Sequence, residues 1–290
     1  MSYLCESSRI FNLSKGERTV IRILLLLSCV LSLKVWAVDP FEDFHEYGQL
    51  SDEEIHKIHQ GELLYGDTEF GFIVSRGNTN STSFKFKGNL YQDLESWRNQ
   101  FKIDSLYKRD RNETTGDDEV SANRIFLSAQ GNYKVGVKNA SFFMYGDYEE
   151  DEFSGLDFKS TLAAGYGNRL YQGVKNQVDF DIGPGLYRSV AEHDSELEEG
   201  EDKTKTGYLL RLALQWERTV STRTRFNQDL SIEQSLSGLN SRLKSETSLI
   251  SQVMGAVSLK FAYLYRYNSQ PEDDKLKFDS ELSATLVYSF

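Results

Sequence analysis

Imidazole is scarce in this chain: its four histidines are His45, His56, His59 and His193. A general base must be held rigidly within hydrogen-bond reach of the proton it takes. None of the four falls in a stretch where apolar and polar residues alternate, so no catalytic residue is assigned and enzymatic activity is not expected. His56 and His59 lie one helical turn apart behind a capping box, Ser51-Asp52-Glu53-Glu54, with Ile55 and Ile58 on the same short predicted helix. Two imidazoles without a third ligand make a poor metal site, and neither a metal nor a cofactor is expected. The segment holding Glu192, Asp194, Glu196, Glu198, Glu199, Glu201 and Asp202 is dense in carboxylates. It lacks the alternating oxygen ligands of a calcium loop and reads as a solvated loop, able to hold divalent cations only loosely.

The larger store of chemistry is charge at alternate positions. Leu276, Phe278, Leu282, Ala284, Leu286, Tyr288 and Phe290 fall on one face of an extended segment, while Lys275, Lys277, Asp279, Glu281, Ser283, Thr285 and Ser289 fall on the other. Phe84 and Phe86 oppose Lys85 and Lys87; Phe101 and Ile103 oppose Lys102 and Asp104; Leu210 and Leu212 oppose Arg211; Phe226 and Leu230 oppose Arg225 and Asp229. A strand with one apolar and one ionic face must lie between two different media. Twelve such strands are predicted, near residues 67–75, 80–91, 97–109, 119–133, 138–148, 156–171, 175–190, 204–218, 222–234, 242–251, 256–268 and 276–290. Pro184, inside the seventh, predicts a bulge or bend there.

The predicted connections sort by parity. The even-numbered ones (92–96, 134–137, 172–174, 219–221 and 252–255) are tight. The odd-numbered ones (110–118, 149–155, 191–203, 235–241 and 269–275) are longer and more polar, apart from a short first connection at Arg76-Gly77-Asn78. A soluble sandwich has no reason to sort its turns in this way, whereas an up-and-down barrel in an outer membrane does. The fold class expected is therefore all-β: a transmembrane antiparallel barrel of about twelve strands over 66–290, behind a short periplasmic segment at 38–65. Tyr107, Tyr133, Trp216, Tyr265, Tyr288 and Phe290 are expected outside, toward strand ends where interfacial aromatic girdles form.

In such a barrel the ionic faces meet in the bore. The candidates that line it are Lys85, Lys87, Lys102, Asp104, Arg124, Asp179, Asp181, Arg211, Arg225, Asp229, Lys260, Arg266, Asp279 and Glu281. Arg223, Lys244, Asp147, Glu217, Glu233 and Glu246 are further candidates. Two readings stay open: a bore plugged by paired charges, or a narrow water-filled pore whose selectivity those charges set.

Composition and leader agree with export. The 290 residues hold 33 basic and 44 acidic side chains, a net charge of −11 that disfavours nucleic acid as a partner. Sixteen Tyr and 18 Phe argue against a disordered chain, and the 3 Pro exclude Pro-rich classes. The apolar run from Ile23 to Leu33, preceded by Arg18 and Arg22 and followed by Val35-Trp36-Ala37, reads as a signal peptide over 1–37. The long stretch before Arg18 also suits a translation start nearer Val20, and Leu26-Leu27-Ser28-Cys29 is only a weak lipoprotein box. Cleavage after Ala37 would remove both cysteines, Cys5 and Cys29, and with them any disulfide framework.

Tyr288 and Phe290 resemble the aromatic-x-Phe ending by which outer-membrane assembly machinery recognises its clients. The resemblance implies that machinery, membrane lipid and lipopolysaccharide as partners, and the outer membrane of a Gram-negative cell as location. The stretch from Glu69 through Gly77-Asn78-Thr79 to Ser83 is similar to a hairpin of the YdiY-like family, described as salt-induced outer-membrane proteins whose domain has no assigned function. Membership over roughly 62–290 implies a twelve-strand barrel and brings no catalytic or ligand residues. The function expected is a narrow passive channel or an envelope protein of salt or osmotic stress. The alternative is a non-conducting structural or interaction barrel that uses its acidic outer loops.

Overall fold

The computed structural model describes residues 63–75, 81–111, 117–136, 139–152, 154, 156–191, 203–238, 240–271 and 276–290. The expected signal peptide, the helix with its capping box, all four histidines, the acidic run at 192–202 and the Gly77-Asn78-Thr79 motif lie outside these residues.

Twelve strands follow in chain order: β1 Leu63–Ser75, β2 Ser81–Asp93, β3 Trp97–Arg111, β4 Asp118–Lys134, β5 Ala140–Asp151, β6 Leu156–Gly173, β7 Asn176–Ala191, β8 Thr204–Ser221, β9 Thr224–Ser235, β10 Arg242–Met254, β11 Val257–Asn268 and β12 Phe278–Ser289. Each pairs antiparallel with its sequence neighbours, and β12 returns to β1, so the sheet is a closed barrel. Closure removes both edges and gives the ladder a partner for the backbone groups that an open sheet would leave bare. Among the described residues there is no helix.

The alternation read from the sequence is the alternation of the wall. Phe72, Met144, Leu162 and Leu282 are among the most exposed large apolar side chains, at 63–78%. Lys85, Lys87, Asp104, Arg124, Arg211 and Lys260, on the opposite parity, are at most 7% exposed. The outer face is thus apolar and the charges are enclosed. The even-numbered connections (94–96, 135–139, 174–175, 222–223 and 255–256) gather at one end of the barrel; the odd-numbered ones, at the other, are longer on the whole, although 152–155 is shorter than 135–139 and 76–80 only equals it.

Four features differ from expectation beyond shifts of a few residues at other strand ends. β1 starts at Leu63, where it pairs with Asp93, because the alternation continues below residue 66 through Tyr65 and Leu64. β5 runs to Asp151, which takes Glu149 out of the expected loop and sets it opposite Lys159. Arg223 sits in the exposed β8–β9 turn and not on a strand. Pro184 makes no bulge: β6 and β7 keep the same register on either side of it, from Tyr166↔Ile182 to Ala163↔Gly185, and simply skip the pairs between. A proline has no N–H to give the ladder. The two backbones close over the gap, since a Cβ on Gly165 would strike the Ile182 carbonyl and one on Gly183 the Ala164 carbonyl.

The closing seam is the shortest ladder. β1 and β12 pair only from Asp67↔Ser289 to Phe70↔Leu286, with reciprocal Gly66–Phe290 backbone bonds of 2.8 and 2.9 Å below. A Cβ on Gly66 would lie 2.9 Å from the Phe290 ring, so the glycine makes room for the terminal aromatic. Beyond Phe70 the seam is held by a side chain. Lys85 of β2, whose register partner on β1 is Gly71, ion-pairs with Glu281 of β12 and lies 3.4 Å from Ser283 Oγ.

Gly183→Ala and Gly165→Ala should each sharply lower the yield of heat-modifiable folded barrel, whereas Gly136→Ala, where an added Cβ meets nothing, should leave it unchanged. Normal folding of the first two would refute the close approach beside Pro184.

Candidate functional site

The bore is crossed by side chains at three levels. In the middle runs one alternating chain of charge. Arg124 Nη2 lies 3.4 Å from Asp104, Asp104 is 3.8 Å from Lys87 Nζ, and Lys87 donates to Glu246 at 2.7 Å. Glu246 also accepts from Lys260 at 3.0 Å, and Lys260 reaches Glu69 at 2.5 Å. Thr285 caps the chain by donating to Glu69 at 3.3 Å. Lys87 on β2 and Glu246 on β10 are not on neighbouring strands, so this contact spans the interior. Alternation of sign lets each of the four inner ions face two opposite charges, while Arg124 and Glu69 at the ends face one, which is what desolvation demands.

Nearer the long-loop end, Glu233 accepts from Arg211 at 2.8 Å and also pairs with Arg242. Arg242 crosses to Thr161 Oγ1 on β6 at 2.7 Å. The Arg211 guanidinium lies 3.6 Å over the Tyr145 ring, and Arg242 lies 4.7 Å over Tyr187. The Tyr145 hydroxyl donates to Asp147 at 2.8 Å, and Asp147 also accepts from the Thr161 backbone at 2.8 Å.

At the tight-turn end, Asp179 on β7 accepts from Arg169 at 2.8 Å and from Arg98 of β3 at 3.3 Å. Asp181 has no ion pair among the described residues; it is held by Gln130 at 2.9 Å and Asn132 at 3.3 Å. Lys102 and Asp229 approach to 3.8 Å, and Arg225 and Glu217 to 3.6 Å. A cavity of about 160 Å³ lies in this half of the bore, and a second of about 170 Å³ runs along the central charge chain, where Lys87, Glu246 and Lys260 line it; polar groups such as Gln100, Gln130, Asn227 and Asp229 line both.

Two candidates stand apart. Arg266 and Asp279 are register partners on β11 and β12 but form no ion pair, and Asp279 is exposed. Sequence reasoning also missed groups that complete the networks: Glu69, Arg98, Glu149, Lys159, Arg169 and Arg242. Glu69 shares the parity of Asp67 opposite Phe70 and Phe72, a readable signal. Arg98 and Arg242 sit at strand ends, where parity is hardest to assign. The bore is not purely ionic either. Phe143, Tyr145 and Ala163 form a buried apolar cluster on one wall, and Tyr65 and Tyr91 stack at 5.0 Å among the lining of the tight-turn cavity.

One protein-family model matches residues 68–290, almost the whole barrel. The chain belongs to that family, DUF481, described as a protein of unknown function. No curated protein matches this DUF481 chain. Among solved structures, it is similar to the translocator domain of the autotransporter NalP from Neisseria meningitidis, at 12% identity over 89% of this chain and 99% of that one, with a TM-score of 0.42. The beta domain of the Bordetella autotransporter BrkA gives 11% identity over 79% and 98% of the two chains and a TM-score of 0.38. The outer membrane channel DcaP of Acinetobacter baumannii gives 9% identity over 79% and 97%, with a TM-score of 0.33. Likenesses this distant carry no functional argument.

Glu246→Gln should destabilise the DUF481 barrel by about 3–5 kcal/mol, because Lys87 and Lys260 lose the carboxylate they share. Asp279→Asn, at an exposed site, should change stability by less than about 0.5 kcal/mol. Urea unfolding of the detergent-folded protein separates these; equal effects would contradict the central chain.

Proposed function

We propose that this chain is an exported outer-membrane β-barrel whose bore its own ion pairs close to solutes, leaving room at most for water and small ions. The observation that carries this reading is the charge chain from Arg124 to Glu69, which joins β4, β3, β2, β10, β11 and β1 through the interior. An open pore keeps its charged groups on the wall, where water solvates them. Here the charges meet one another across the space that a solute would need. The apolar outer face and the sorting of turn lengths support residence in a lipid bilayer, with the tight turns on the periplasmic side. The leader from Ile23 to Leu33 supports export.

The Tyr288 and Phe290 ending supports the outer-membrane location, and the YdiY-like resemblance supports a role in the envelope under salt or osmotic stress. Membrane lipid and lipopolysaccharide are the surroundings this reading requires. Tyr288 and Phe290 serve as the handle for the barrel-assembly machinery, a role that suits the packing of Phe290 against Gly66 where the barrel closes. The described strands hold no histidine to act as a general base, and we read the protein as non-enzymatic. A second reading, a narrow ion path, is favoured by the polar cavities at the tight-turn end and along the central charge chain.

Planar-bilayer recording tests the choice. The wild-type protein should give no stepwise conductance of open-pore size. Truncating both sides of the crossing contact, Lys87→Ala with Glu246→Ala, should produce steps. Large, ion-selective steps from the wild type would overturn the closed-bore reading in favour of the channel.

A further inference from the structure

Within the described interior two facing cations are left without a carboxylate. Lys244 and Arg266 are direct register partners on β10 and β11, both on the inward parity. Like charges set directly opposite in a ladder repel. Neither has a carboxylate within ion-pair distance among the described residues. The Lys244 ammonium has only the Phe126 ring, 4.6 Å away. Arg266 Nη2 is fully enclosed without a hydrogen-bond partner, and so is Nε of Arg124, a side chain 7% exposed whose Nη2 is already turned toward Asp104.

Lys244 and Arg266 line a cavity of about 90 Å³ near the long-loop mouth of the bore. The carboxylates around it are committed elsewhere. Glu149 lies 3.3 Å from Lys159, Glu233 is shared by Arg211 and Arg242, and Asp147 accepts from Tyr145 and Thr161. The lining therefore carries five cations (Lys159, Arg211, Arg242, Lys244 and Arg266) against three anions, in a protein that is acidic overall. Two facing cations without a carboxylate cost free energy that an anion bound in the cavity would recover.

We infer that this cavity is a binding site for a small tetrahedral oxyanion of the phosphate or sulfate class, held by Lys244 and Arg266, with Arg124 adding positive potential behind them. A guanidinium presents paired donors that match two oxygens of such an ion, and the ammonium supplies a compact third contact. The volume suits an ion of a few heavy atoms and no more than the tip of a larger molecule. The phosphate could come free from the medium or from the phosphorylated headgroups of lipopolysaccharide at the same mouth. The inference does not rest on whether the bore conducts.

Calorimetric titration of the detergent-folded full chain with inorganic phosphate is the test. Saturable binding is expected, with phosphate and sulfate both well ahead of chloride, and weakening of about tenfold or more in Lys244→Gln and Arg266→Gln. Because these changes remove facing like charges, both variants should fold, and phosphate should raise the melting temperature of the wild type alone. A second arm with a phosphorylated glycolipid in mixed micelles separates the sources: competition with inorganic phosphate places the headgroup in this cavity, and its absence restricts the site to the free ion. No saturable phosphate binding by the wild type, or binding that the two variants leave unchanged, would overturn the inference.

Discussion

A charge enclosed in a narrow bore has no bulk water to solvate it, so it must find an opposite charge on the facing wall. That constraint explains more of this barrel than any single contact. Closing the sheet leaves the outer face apolar and sends the ionic face inward. Once inside, Lys87, Glu246, Lys260 and Glu69 pair chiefly with one another, and doing so ties non-neighbouring strands together. The same contacts that neutralise the interior also cross it. In the proposed closed-bore reading, occlusion follows from the arrangement that gives stability. Asp181 meets the constraint with neutral donors, Gln130 and Asn132; the Lys244–Arg266 pair stands out because every carboxylate lining its cavity is already engaged.

The closing seam shows how the constraint reaches the fold itself. The β1–β12 ladder is the shortest in the barrel, and its two ends are secured differently. Below, Gly66 admits the Phe290 ring and exchanges backbone bonds with it. Above, Lys85 passes the side-chain-free Gly71 to reach Glu281. A sheet can thus be closed by electrostatics where backbone pairing stops, provided the intervening residue has no side chain.

Strand number, order and face were legible in the sequence because period-two alternation is a local signal. Leu282 and Leu286 announce one face and Glu281 and Thr285 the other without any knowledge of the remaining strands. Partner choice was not legible. Nothing near Lys87 points to Glu246, since which wall faces which depends on how the strands tilt and stagger around the closed barrel. Strand ends were also obscure: Glu149 read as loop because Glu149-Glu150-Asp151-Glu152 resembles a solvated acidic turn. The effect of Pro184 depends on residues that local alternation does not show. A proline signals a missing ladder bond, but only the opposing Gly165 and Gly183 decide whether the backbones bulge apart or close over the gap. The inward aromatics Tyr145 and Tyr187 gave no warning either, because a ring serves equally well against lipid or over a guanidinium.

The most direct test uses the absence of cysteine beyond residue 29. Single cysteines at successive positions from Glu281 to Val287, each carrying a nitroxide in bilayer-reconstituted protein, report collisions with oxygen from the lipid and with a water-soluble nickel chelate. The account predicts strict alternation: high oxygen and low nickel access at 282, 284 and 286, and low access to both at 283, 285 and 287, where packed side chains exclude lipid and solute alike. Uniform nickel access along β12 would contradict a barrel set in lipid, and high nickel access confined to the inward positions would contradict a bore closed by its own charges.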